Sequence, residues 1–242
     1  MLPTENIRLI AIDADDTLWD CQSHFELVEK RYREILSPYG DDEHIHAAFF
    51  KTEVDNMEML GYGVKAFTIS MIENAIGISN GQVSANDLGS ILRMGKELLT
   101  FETTPLPGVR TTLKAIRATG RWKMVCFTKG ELQDQENKLK RSGLAPLFDD
   151  TIIVSDKTEK EYRRLCHNAA IRPEELIMVG NSFKSDVIPA LNIGAWAVHI
   201  PFHVTWGLEQ TEEYDHERLV SIETFDRLLH ILGIHHSSED EA

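Results

Sequence analysis

Cysteine is scarce in this chain. Cys21, Cys126 and Cys166 form an odd, widely scattered set without a C-x-x-C pair, which argues against a disulfide framework and against a thiolate zinc site. Long apolar runs are missing too: no stretch approaches the ~18 residues of a membrane span. Met1 to Asn6 is polar, and the short apolar run after it ends in Asp, unlike a secretory leader. Basic residues are the minority, 25 Lys and Arg against 39 Asp and Glu, for a formal charge of -14. That balance disfavours nucleic acid or an anionic membrane as a partner. An anionic substrate would need a local cation or backbone N–H groups. There is no internal repeat and no low-complexity segment. These absences lead to the expectation of a soluble, cytoplasmic protein, monomer or homodimer.

With 242 residues, 42% of them hydrophobic, the chain can bury at least one good core, as one large domain or one domain with a sizeable insert. Its most telling segment is Leu9-Ile10-Ala11-Ile12-Asp13-Ala14-Asp15-Asp16-Thr17-Leu18. Four apolar residues that read as a buried strand run directly into three carboxylates. An unpaired buried carboxylate costs several kcal/mol, so the cluster needs a cation or a solvated cleft. Strand tips are also where ligands gather in open α/β sheets.

From Asp20 to about Thr104 the pattern is helical throughout. Ser23-His24-Phe25-Glu26 has the capping-box spacing, followed by Phe25, Val28, Tyr32 and Ile35 at helical intervals. Further helices are expected at Glu43–Leu60, Val64–Ile78 and Ala85–Leu99, parted by two Gly-containing turns. Thr104-Pro105-Leu106-Pro107-Gly108 marks a linker and a new helix start. Beyond it helices and strands alternate: helix Val109–Thr119, strand Trp122–Thr128, helix Leu132–Ser142 stopped at Gly143, strand Thr151–Val154, helix Glu159–Ala170, strand Leu176–Val179, helix Ser185–Asn192, strand Ala195–Ile200. Such alternation implies βαβ crossovers and a mostly parallel sheet. The expected fold is therefore α/β, a Rossmann-like core of residues 1–19 and 105–242 with an inserted all-helical domain at 20–104.

Four strand ends carry polar residues. They are Asp13/Asp15/Asp16/Thr17; Thr128-Lys129-Gly130; Ser155-Asp156-Lys157-Thr158; and Gly180-Asn181-Ser182-Phe183-Lys184-Ser185-Asp186. Each has an ordinary structural reading. Together, at the carboxyl ends of strands in one sheet, they would converge carboxylates, a hydroxyl and an ammonium on one crevice.

This order of motifs, D-x-D-x-T, an apolar strand ending in T-K-G, a lysine, then G-N-S-x-x-S-D, resembles the haloacid dehalogenase-like hydrolase superfamily. The helical insert resembles its type-1 cap, and the segment from Val154 to Trp206 looks like a phosphatase subgroup. The resemblance implies Mg²⁺-dependent hydrolysis of a small-molecule phosphate monoester. Asp13 would be the nucleophile and Asp15 the general acid and base. Mg²⁺ would be held by the Asp13 carboxylate, the Asp15 carbonyl and the Asn181/Asp186 loop. Thr128 with the N–H groups of Lys129 and Gly130 would hold phosphoryl oxygens, and Lys157 would offset charge between Asp13 and the phosphate. Lys157 fits the lysine motif in register, while its two usual prolines are missing and Lys160 is the weaker candidate. A haloacid dehalogenase, a phosphomutase and a silent binding module on the same fold are the alternatives; Asp15 speaks against the first.

Asp16 stands where Gly or Asn is frequent, and its side chain is expected to cap the following turn. Trp19 and Lys65 are the residues proposed to line the substrate entrance, with hinges near Trp19–Cys21 and Thr103–Gly108. Met57, Met59 and Met71 read as packing within the insert. His199, His203 and Trp206 read as core edge or domain contact, His235-His236 as a surface pair, and the acidic end Ser237–Ala242 has no assigned role. Asn181 departs from the aspartate usual in relatives, which predicts weak Mg²⁺ affinity. Asn181→Asp should lower the Mg²⁺ concentration needed for half-maximal activity; unchanged or poorer affinity in a Mg²⁺ titration counts against the assignment.

Overall fold

Strand β1 (Leu9–Ile12) lies at the centre of a six-stranded sheet, with every residue buried. The computed structural model describes residues 2–234, so the readings of His235-His236 and of the acidic end fall outside the described residues. The other strands are β2 (Lys123–Lys129), β3 (Asp150–Val154), β4 (Leu176–Gly180), β5 (Trp196–His199) and β6 (Leu219–Ser221). Their order is β3-β2-β1-β4-β5-β6 and every pairing is parallel. The order reverses direction at β1 and β4, and the crevice beyond the carboxyl ends of such a pair is where open sheets bind ligands.

Helices cover both sheet faces, which is why the strands read as near-continuous apolar runs. Ile10 and Ile12 point to one face, against Val109, Leu113 and Ile116 of α5 (Val109–Thr119). Leu9 and Ala11 point to the other, against Tyr162, Leu165 and Cys166 of α7 (Glu159–Asn168). The alternation is the period of two expected of a strand. All three cysteines are free and buried.

Between β1 and α5 the chain forms α1 (Gln22–Leu36), α2 (Asp42–Leu60), α3 (Val64–Ile78) and α4 (Ala85–Leu98). These helices enclose a core of their own, including Val28, Tyr32, Phe49, Phe67, Met71 and Met94. Phe25 packs against both this core and the sheet core. Of the three methionines expected here as packing, Met71 is fully buried, Met59 is 79% exposed and Met57 lines the cavity described below. The capping box is also corrected. The helix starts one residue before Ser23, and Ser23 caps nothing. Asp16 supplies the cap, its Oδ1 accepting from the backbone N–H groups of Cys21 (2.8 Å) and Gln22 (2.9 Å).

Three further elements differ from expectation. The stretch Phe183–Val187 is a π-helical turn and only Ile188–Asn192 is α-helix, here α8. Strand β6 and helix α9 (Arg227–Ile231), after α6 (Leu132–Ser142) and the rest of the core, were not expected at all. At three and five residues, neither is long enough to show a period. In α4, a Cβ on Gly95 would lie 2.1 Å from Thr68 Oγ1 of α3, whereas at Gly89 the nearest atom is Arg93 Nη1 at 3.6 Å. Gly95→Ala should therefore destabilise the protein by about 1–3 kcal/mol. Gly89→Ala, gaining helix propensity, should be neutral or stabilise by up to about 1 kcal/mol; urea unfolding of both variants checks the contrast.

Candidate active site

Asp13 is the first residue past β1, and its backbone N–H donates to Val179 O of β4 at 2.9 Å. The carboxylate is thereby fixed at the point where the strand order reverses. The chain then turns sharply. Asp16 adopts φ +61°, and Leu18 N–H returns to Ala14 O at 2.7 Å. Left-handed backbone of this kind favours Gly, Asn or Asp.

Lys157 is buried and bridges two carboxylates, meeting Asp13 Oδ1 and, at 2.6 Å, Asp186 Oδ1. It has arrived from the end of β3, across β2, where its ammonium lies 5.7 Å from the centre of the Phe127 ring. Lys160, by contrast, is exposed. The second Asp13 oxygen accepts from Thr17 Oγ1 at 3.1 Å. Burial pushes the Asp13 carboxyl up to about 7, with Lys157 opposing the rise and the Asp186 charge adding to it.

Asp186 is placed differently from the expected metal ligand. Its Oδ1 is on Lys157 and its Oδ2 accepts from Ser182 N–H at 2.9 Å, so both oxygens are engaged. Gly180 allows this approach, because a Cβ there would sit 2.1 Å from Asp186 Oδ2. Gly130 is also differently employed: its N–H donates to Val154 O at 3.0 Å. Thr128 is buried at the end of β2 and faces the cavity. The Lys129 ammonium turns away to Glu209, to Ser185 Oγ at 2.7 Å, and to the face of Tyr62 at 4.0 Å.

Asn181 brings its amide to Asp13. The amide atom on that side lies 3.3 Å from Asp13 Oδ2, 3.1 Å from the Asp15 carbonyl oxygen and 3.1 Å from Thr17 Oγ1. With nitrogen on that side, the amide donates to these oxygens. With oxygen there, one carboxylate, one carbonyl and one amide oxygen stand together. The separations of the amide atom from the carboxylate and from the carbonyl are close to the spacing of about 3 Å between neighbouring oxygen ligands of a small cation. The set is hard and oxygen-only, so it fits Mg²⁺. Among the described residues, no three Asp, Glu, His or Cys side chains cluster to hold a metal by themselves. His199 belongs to this corner indirectly, its Nε2 lying 3.0 Å from Asn181 O. His203 contacts Ser23 Oγ instead, and Trp206 packs edge-on to Tyr62.

The surroundings of Asp15 were not foreseen. Its Oδ1 accepts from Trp19 Nε1 at 2.8 Å and its Oδ2 from Gln135 Nε2 at 2.9 Å, while Lys138 Nζ reaches both oxygens at 2.8 and 2.6 Å. Burial alone would raise the Asp15 carboxyl; the Lys138 charge and these hydrogen bonds outweigh it and hold the group below its ordinary 3.8. The available signal was Asp134, Gln135 and Lys138 on the buried face of α6 beside apolar Leu139. Trp19 is 0% exposed and acts as a joint, bridging to Pro105, rather than lining an entrance. Lys65 does not line the cavity either. It pairs with Glu131, and its side chain is 59% exposed.

Lys138→Met would leave Asp15 and neighbouring Asp134 without their cation. The expected cost is about 2–3 kcal/mol, at the low end for a buried pair because Asp15 opens to the cavity. In an Asp15→Asn background the same change should cost much less. Because Asp15 is held below 3.8 in the folded protein, the coupling is fully present above that value and lost as the pH falls through the folded value. Urea unfolding of the double-mutant cycle at pH 7.5 and below pH 4 checks both points.

The sequence pattern of haloacid dehalogenase-like hydrolases matches residues 7–194. A glyceraldehyde 3-phosphate phosphatase of Methanothermobacter thermautotrophicus is 24% identical over 211 residues, covering 82% of this chain and 88% of the relative. The crystal structure of a haloacid dehalogenase-like family hydrolase from Xanthomonas campestris is 33% identical, with a TM-score of 0.82 over 94% of this chain and 92% of that one. L-2-haloacid dehalogenase of Xanthobacter autotrophicus shares the fold, with a TM-score of 0.63 at 17% identity over 94% of this chain and 98% of its own. A sheet reversing at β1 and β4, a buried Asp13–Lys157–Asp186 bridge at that point and a match over most of the length agree: the chain belongs to the haloacid dehalogenase-like hydrolases.

Proposed function

We propose that the protein is a Mg²⁺-dependent phosphatase that hydrolyses a small phosphate monoester through a phosphorylated Asp13. The observation that carries this reading is the arrangement around Asp13. One oxygen is neutralised by Lys157, the other faces the amide of Asn181, which also meets the carbonyl of Asp15, and a second carboxylate stands two residues on.

Asp13 attacks phosphorus, the ester bond breaks, and the leaving oxygen takes a proton from Asp15. Asp15 then receives a proton from the water that displaces phosphate, restoring the Asp13 carboxylate. Lys138, Gln135 and Trp19 hold Asp15 ionised while the cavity is free of anion. A phosphate dianion beside Asp15 opposes its negative charge and favours the protonated acid that the first step requires. Asp13, the Asp15 carbonyl and Asn181 would hold Mg²⁺, which supplies positive charge against the phosphoryl oxygens. Lys157 keeps Asp13 and Asp186 from repelling each other and the substrate. Helices α1–α4, cap-like in their position over the strand ends, exclude bulk water; residues 20–104 are the proposed cap domain.

A dehalogenase needs the same nucleophile but no acid at Asp15. Its haloacid substrate also carries a carboxylate, and the lysines lining this cavity already have anionic partners. The phosphatase among the relatives points the same way. Asp13→Asn should reduce p-nitrophenyl phosphate hydrolysis by about 10³-fold or more, as loss of a nucleophile does. Excess EDTA should stop turnover and Mg²⁺ should restore it; persistent activity in either assay overturns the reading.

A further inference from the structure

The cavity wall opposite Asp13 is built by α1, α2 and α3, and its charge differs from that of the sheet side. The charged residues it contributes, among the described residues, are Glu29 and Glu53, with no lysine or arginine. The lining lysines, Lys129, Lys138 and Lys157, all come from the sheet side, and each is paired with a carboxylate. Glu29 is met by Arg33 and His46. Glu53 has no such partner. It is 8% exposed, it faces the cavity, and no cation among the described residues acts on it. Burial pushes its carboxyl up to about 8, and the Glu29 charge adds to the rise. Phe25, Phe67 and Tyr62 line the same cavity, and the Trp206 side chain hydrogen-bonds to Glu53, offsetting the rise only in part.

We propose that the natural phosphate ester has a leaving group without negative charge that offers Glu53 a hydrogen-bond donor, a hydroxyl or an ammonium. The inference rests on the phosphatase reading and names its substrate class. Above about pH 8, where Glu53 is ionised, a carboxylate at the far end of the substrate would meet it in a poorly screened space, where like charges repel strongly. A hydroxyl or ammonium adds a donor to a buried carboxyl that the Trp206 side chain satisfies only in part.

The test is kcat/KM with Mg²⁺ at pH 9, where Glu53 is ionised, for glycerol 3-phosphate and 2-aminoethyl phosphate against 3-phosphoglycerate, with p-nitrophenyl phosphate as reference. Glycerol 3-phosphate and 3-phosphoglycerate differ only in a hydroxymethyl against a carboxylate. The better of the two donor esters should exceed 3-phosphoglycerate by about 100-fold, and whichever is preferred identifies the donor. Glu53→Lys should shrink that ratio by about 30-fold or reverse it, and the isosteric Glu53→Gln should shrink it by about 3- to 10-fold. Equal turnover of the three esters by the native protein, or a ratio unchanged in both variants, overturns the inference alone. Absence of turnover on every ester, p-nitrophenyl phosphate included, overturns the phosphatase reading and this inference with it.

Discussion

Lys157 is buried between Asp13 and Asp186, so side chains from the ends of three strands share their charges away from bulk water. Two carboxylates and one ammonium leave one unit of negative charge there; burial, with the Asp186 charge adding to it, lifts the Asp13 carboxyl to about 7 against the pull of Lys157. Removing the ammonium would expose the site to two uncompensated anions, a change that typically costs several kcal/mol. Much of the neighbouring structure serves this arrangement. Gly180 makes room for Asp186, Tyr162 Oη donates to Ser185 O at 3.0 Å behind it, and Phe127 supports the lysine as it crosses β2.

A second ion pair, Lys138 with Asp15, divides the labour between two carboxylates two residues apart. Asp13 is pushed towards the neutral form by burial, whereas Asp15 is held ionised by the Lys138 ammonium and by the hydrogen bonds of Gln135 and Trp19. The two groups therefore begin with opposite proton affinities, although they sit on one turn. That difference comes from α6, an element placed by the sheet and not by the motif itself.

Strands β1, β2, β4 and β5 were legible because they are largely buried and end in polar clusters, while the roles of Asp13, Lys157 and Asn181 came from the resemblance of those clusters to a family's motifs. Helices α4 to α6 carry clear amphipathic patterns, and stops such as Gly143 mark their ends. What escaped notice was polar residues doing work on faces assumed to be packing. Gln135 and Lys138 occupy the inward stripe of α6, and Glu53 that of α2. A single sequence does not say whether an inward charge has a partner, since the partner of Lys138 lies 123 residues away. Ser23 illustrates the converse error. Its spacing to Glu26 fits a capping box, but Asp16 reaches the helix start from the preceding turn.

The two passages of chain between sheet and helical layer run side by side. Leu106 N–H donates to Leu18 O at 2.8 Å, Trp19 bridges to Pro105, and the Trp19 indole holds Asp15. Because the indole that steadies Asp15 belongs to a residue of that connection, the carboxylate is anchored to the junction itself, and a change at position 19 reaches both.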